Sequence, residues 1–196
     1  MKKWSLIASI LFYSMISCSS DDDNGGEQTA AGPAFVKLEI EGSLVYNRST
    51  NAPNPSSEVV NAIITTQSYT ANGVTYPANS LSIFSGDQAY QTNGLGKSII
   101  LIVENITHVG TYSFTENNGN FFYSDKTDPV NTYISAIMPP YETTATVTIT
   151  KIGSTNAAGN GKYVSGYIEG MSLSGPISNP NSETPFRIEF NGGVPD

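Results

Sequence analysis

From Thr144 to Thr150 the chain alternates hydroxyl and apolar side chains at every step, Thr-Ala-Thr-Val-Thr-Ile-Thr. Only an extended strand sends successive side chains to opposite faces, so this stretch has one wet face and one buried face. The same period of two recurs at Val36, Leu38 and Ile40 against Lys37, Glu39 and Glu41. It returns less regularly at Leu44–Tyr46, Val59–Thr65, Val74–Tyr76, Asn79–Ser85, Gly110–Phe114, Asn120–Ser124, Tyr133–Ile137, Tyr163–Leu173 and Phe186–Phe190. Ile99 to Val103 is an unbroken β-branched and aliphatic run, as in a central strand covered on both faces. No ten-residue stretch has a helical period, and no segment repeats at solenoid or propeller spacing. Glycine, proline and asparagine punctuate the runs: Asn72-Gly73 and Asn117-Asn118-Gly119 read as turns, Pro53, Pro55 and Pro139-Pro140 as breaks, and Gly166 and Gly170 as bends or bulges. These features predict an all-β domain, a single antiparallel β-sandwich or flattened barrel of about ten strands over residues 34–196, with a closed lipocalin-like barrel as the alternative.

The first 33 residues follow different rules. Met1-Lys2-Lys3 precedes an uncharged apolar stretch, Trp4 to Ile16, of 13 residues. A bilayer-spanning helix needs ~20 apolar residues, so this length suits a secretory leader over residues 1–17. Met15-Ile16-Ser17-Cys18 then resembles a bacterial lipobox, with Ile16 where that pattern usually has a small residue. The resemblance implies cleavage before Cys18 and acylation of its sulfur and new amine. Single acyl chains bind membranes only marginally at ~0.8 kcal/mol per buried CH₂, whereas two or three make a lasting anchor. Ser19-Ser20-Asp21-Asp22-Asp23 is similar to the export signal of surface lipoproteins in Bacteroidota. It implies display on the outer face of the outer membrane. Residues 18–33 form an acidic, glycine-rich tether averaging ~20 Å end to end.

A second resemblance covers most of residues 34–192. Ile99–Val103, then Gly110-Thr111-Tyr112, Val147–Lys151, Val164-Ser165-Gly166 and a closing Phe186–Gly192 are similar to small Bacteroidota lipoproteins of unassigned function. Tyr167-Ile168 stands where that family continues with Thr-Phe. The resemblance implies an antiparallel β-domain on a lipid tether and no activity.

Charge bounds the partners. Removing Lys2 and Lys3 leaves seven Lys and Arg against 17 Asp and Glu, a net charge of −10 without a basic stripe. Nucleic acid is therefore not an expected partner. Catalytic chemistry finds no setting. His108 is the only histidine and sits in an expected turn, and Cys18, the only cysteine, is committed to lipid. Nucleophilic catalysis needs a base beside the nucleophile, and zinc needs His or Cys ligands. The chain is read as non-enzymatic and free of cofactors. Asp125 and Asp128, with Asn131, form the weak calcium candidate, but lack the EF-hand spacing. Aromatic residues crowd the middle of the chain, and Tyr112, Phe121, Phe122, Tyr123, Tyr133 and Tyr141 form the candidate ligand platform, with Phe122 and Tyr141 the expected glycan contacts.

Three functions follow as expectations. The first is a non-catalytic outer-membrane lipoprotein, lipid-anchored and facing the cell exterior, that binds a ligand or an envelope protein. The second is a glycan-binding accessory lipoprotein for polysaccharide uptake. The third is a barrel carrier of a small apolar ligand.

Overall fold

A computed structural model of the chain describes residues 33–50, 59–71, 74–87, 94–128, 130–138, 143–156 and 159–194. The leader, Cys18 and the acidic triple lie outside the described residues, as do Tyr90 and Tyr141. Thirteen strands run in the order β1 (Ala34–Ile40), β2 (Ser43–Thr50), β3 (Val59–Thr65), β4 (Tyr69–Ala71), β5 (Val74–Tyr76), β6 (Leu81–Gly86), β7 (Lys97–Val103), β8 (Gly110–Thr115), β9 (Gly119–Asp125), β10 (Tyr133–Ile137), β11 (Thr144–Thr155), β12 (Gly161–Pro176) and β13 (Ser182–Asn191). Among the described residues, no helix is long and apolar enough to cross a membrane.

Eleven strands form one antiparallel sheet, and β4 and β5 pair separately as a short ribbon. The 16-residue β12 organises the sheet. Its start, Gly161–Tyr163, pairs with β3, and its end, Leu173–Pro176, pairs with β10. Because β3, β6, β7, β9 and β10 are neighbours in that order, β12 closes them into a ring. Along its length β12 also carries β13, β1 and β2 on one side and β11 and β8 on the other. The product is an all-β domain with ring-like bonding, a sandwich or flattened barrel as the alternation predicts.

The core lies between the two halves. Val36, Leu38 and Ile40 of β1, Ile99, Leu101 and Val103 of β7, Val147 and Ile149 of β11, and Phe186, Ile188 and Phe190 of β13 all point inward and are buried. Phe121 of β9 stacks on Phe186 of β13, with ring centroids 4.9 Å apart and planes 10° from parallel. Burying a ring of this size stabilises by roughly 1.5–3 kcal/mol.

Three sequence readings change. Asn47 to Thr50 continues β2 beyond the Leu44–Tyr46 run read from the sequence and pairs with β1. The strand read from the alternation at Thr144–Thr150 runs on through Ser154 and Thr155 as β11. The run Ile99–Val103 is not equally covered on both faces, because Ile100 and Ile102 are only half-buried. They lie on the outer side of β7, where Ile100 joins a cross-strand row with Phe84, Phe122 and Ala136.

Candidate functional site

The wet face of β1, β13, β12 and β11 carries a cleft of about 370 Å³, lined by Phe35, Lys151, Tyr167, Arg187, Glu189 and Asn191 among others. Antiparallel register assembles it from four strands. Phe35 stands opposite Asn191, Lys37 opposite Glu189 and Glu39 opposite Arg187. One strand further on, Asn191 faces Ser165, Glu189 faces Tyr167 and Arg187 faces Glu169. Alternation in each strand then places all these side chains on the side away from the core.

Arg187 is the hub. Its Nη1 donates to Glu169 Oε2 at 2.5 Å and its Nε to Glu189 Oε1 at 3.2 Å. The guanidinium carbon lies 4.4 Å from the centre of the Tyr167 ring. Burial works against the guanidinium charge, but the two carboxylates outweigh it and hold the group more firmly protonated. All three charged side chains are more than a third exposed. Such pairs contribute ~1 kcal/mol or less, so their main effect is to fix the fork over the ring. Beside them, Lys37 Nζ sits 5.1 Å from the centre of the Phe35 ring.

Two local features open the cleft. The β11–β12 register slips between Ile149 and Lys151, leaving Thr150 as an extra residue in β11 opposite Gly166 and Ser165. That is a β-bulge, which bends its strand and re-aims neighbouring side chains. It lies on the partner of Gly166, the glycine read from sequence as a bend or bulge. Asn191 fixes the opposite end. Its Oδ1 accepts from Ser165 Oγ at 3.1 Å, Gly193 N at 2.9 Å and Val194 N at 2.7 Å.

The aromatic residues singled out from sequence do not gather here. Phe121 and Tyr123 are buried in the core. Phe122, between them in sequence, points to the outer side of β9 and is half-buried. Tyr133 packs half-buried against the core, with its ring edge toward Tyr123 at 6.4 Å. Tyr112 makes a tyrosine corner: its hydroxyl donates to His108 O at 2.7 Å and accepts from His108 N at 3.0 Å. This bond back to the preceding backbone ties β8 to the chain entering it, so the Gly-Thr-Tyr motif has a structural role. His108 is exposed, with Nδ1 2.8 Å from Thr107 Oγ1.

The calcium candidates also have local partners. Asp125 accepts from the Thr127 backbone at 3.0 Å and hydroxyl at 2.6 Å, and its other oxygen pairs with Lys97 at 3.4 Å. Burial alone would raise its carboxyl, but the Thr127 and Lys97 interactions outweigh burial and lower it. Asp128 accepts from Asn131 Nδ2 and from the Val130 and Asn131 backbones, and these bonds hold its carboxyl below the ordinary range. The two aspartates are turn-capping groups. Among the described residues, no cluster of three or more acidic, His or Cys side chains could hold a metal ion.

Inside the domain, one end is polar. The Tyr46 and Ser85 hydroxyls share a hydrogen bond of 2.7 Å, and the Tyr46 and Tyr123 rings meet edge-on at 6.3 Å. Burial pushes Tyr46 up to about 12 and raises Tyr123 as well. A tyrosine in the unfolded chain ionises near ~10, so the folded state holds these protons more tightly. Their stabilisation is complete below ~10 and declines as pH rises through the folded values. The urea midpoint should therefore fall steeply above about pH 10, and Tyr46→Phe should flatten that fall. An equally steep fall in the variant would remove Tyr46 from the explanation.

The ligand platform read from the sequence does not include Tyr167, Glu169, Arg187 or Glu189. The alternation within Phe186–Phe190 already put Arg187 and Glu189 on one wet face. Their meeting with Tyr167 depends on the β12–β13 register, which alternation within either strand does not determine. Comparison with protein-family models, curated proteins and solved structures finds no match to this chain.

Proposed function

We propose that this chain is a non-catalytic, lipid-anchored surface protein whose β-domain binds its ligand at the Tyr167–Arg187 cleft. The cleft's composition carries this reading. It sets two aromatic rings beside a guanidinium fork, two carboxylates and an amide on one open face. Both carboxylates, Glu169 and Glu189, hold the same guanidinium, which suits positioning better than proton transfer. The anchor and outer-membrane location rest on Cys18 and the acids that follow it.

The same composition favours a glycan as the ligand, in keeping with an accessory role in polysaccharide uptake. Sugar rings present C–H faces to aromatic side chains and hydroxyls to paired donors and acceptors, and the cleft offers both kinds of contact. On this reading the contacts are Tyr167 of β12 and Phe35 of β1, not Phe122 of β9. The carrier reading draws no support from an interior filled by Phe114, Phe121, Tyr123 and Phe190. A glycan array probed with the mature chain should show selective binding that Tyr167→Ala weakens at least about tenfold, the scale of one lost stacking contact. Binding undiminished in Tyr167→Ala would overturn this placement.

A further inference from the structure

The cleft continues into a strip that nothing in the composition of the chain advertises. Beyond Tyr167 the cross-strand row runs to Thr148 of β11 and Thr111 of β8, and beyond Glu169 the next row runs to Thr146 and Ser113. Thr111, Ser113 and Thr146 are exposed and Thr148 is half-buried. The Thr111 and Thr148 hydroxyls lie 3.3 Å apart. Every outward side chain in the paired part of β8 and β11 is Thr or Ser, so this arm carries no charge. At its other end, Arg187 is held by both Glu169 and Glu189, so that trio carries one net negative charge.

Resting on the glycan reading of the cleft, we propose that the ligand is a neutral, linear polysaccharide lying across the strands from β13 over β12 and β11 to β8. Neighbouring strands stand ~4.8 Å apart, close to the length of one pyranose unit in an extended chain. Four strands then give four subsites. The first unit lies over β13, between Phe35 and the Arg187 fork, and the second packs on Tyr167 of β12. The units beyond it meet Thr148 and Thr146, then Thr111 and Ser113. Among the described residues β8 pairs with β11 alone, so the row ends there and further units gain no contact. An acidic polysaccharide fits the arm less well, because the arm offers no cation; the cations stand at the cleft end, where Arg187 is held by two carboxylates and Lys37 and Lys151 lie beside it.

Calorimetric titration of the mature chain with ladders of neutral β-linked gluco-, xylo- and manno-oligosaccharides tests this, with an oligogalacturonate ladder as the acidic control. Affinity for one neutral ladder should rise from the disaccharide to the tetrasaccharide and then level. In Thr146→Val/Thr148→Val, tetrasaccharide affinity should drop about tenfold, as expected for two lost hydrogen bonds, with disaccharide affinity unchanged. An unaltered circular dichroism melt would show that the variant keeps its fold. Binding that needs Tyr167 but ignores chain length or the threonines would remove the strip and leave the cleft. Binding of the acidic ladder alone would overturn the neutral-ligand proposal, and glycan binding indifferent to Tyr167→Ala would overturn the cleft reading itself.

Discussion

Gly166→Ala should cost ~3 kcal/mol or more, a large share of the ~5–15 kcal/mol that holds a domain together. A Cβ built at Gly166 would stand 2.1 Å from Thr148 O and 2.9 Å from Phe190 Cζ. Neither neighbour can yield cheaply. Thr148 is held in the β11–β12 ladder and Phe190 is buried in the core. Relief therefore requires β11 to move away from β12, which would also displace the bulge at Thr150. Gly153 is the control, because its added Cβ would meet only Val194 side-chain carbons, the nearest at 3.1 Å. Gly153→Ala should cost under about 1 kcal/mol. Urea unfolding followed by circular dichroism measures both variants. Equal midpoints for the two would mean that the close approach at Gly166 is not a constraint.

Cys18→Ala should have an all-or-none effect in cells. The Cys18 sulfur is the proposed attachment point of the lipid, and each acyl chain contributes ~0.8 kcal/mol per buried CH₂. Loss of the sulfur removes every chain at once, because amine acylation follows cleavage at that residue. Palmitate labelling should mark the wild-type chain in the outer-membrane fraction and leave Cys18→Ala unmarked. Label retained by the variant, or an unlabelled wild-type chain, would refute the anchor. Replacing Asp21, Asp22 and Asp23 together with Ala should leave labelling intact and protect the chain from protease added to whole cells.

Much of this fold is legible before any coordinates. The alternation at Val36–Ile40 and Thr144–Thr150 identifies strands with one wet face, and β1 and β11 have that pattern. The ring closure is not legible. Gly161 to Pro176 reads as one extended stretch, and nothing within it tells that its two ends meet β3 and β10. The site was obscured for a related reason. Phe121-Phe122-Tyr123 is the most conspicuous aromatic cluster in the sequence, yet a period of two must divide it, sending Phe121 and Tyr123 to the core and Phe122 outward. Tyr167 has only Tyr163 as an aromatic companion in its own strand and meets Arg187 and Glu189 only through register. Tyr69 to Ala71, with no apolar alternation, gave no strand signal before β4 appeared as one half of a ribbon.

Backbone-amide NMR mapping locates the ligand on the domain. The chain from residue 18, carrying Cys18→Ser so that it stays soluble, would be titrated with the tightest neutral oligosaccharide. Shifts should concentrate at Phe35, Tyr167, Glu169, Arg187 and Glu189 and extend to Thr146 and Thr148, as the cleft placement requires. Shifts centred instead on Phe84, Ile100 and Phe122, across the outer face of β6, β7 and β9, would contradict it.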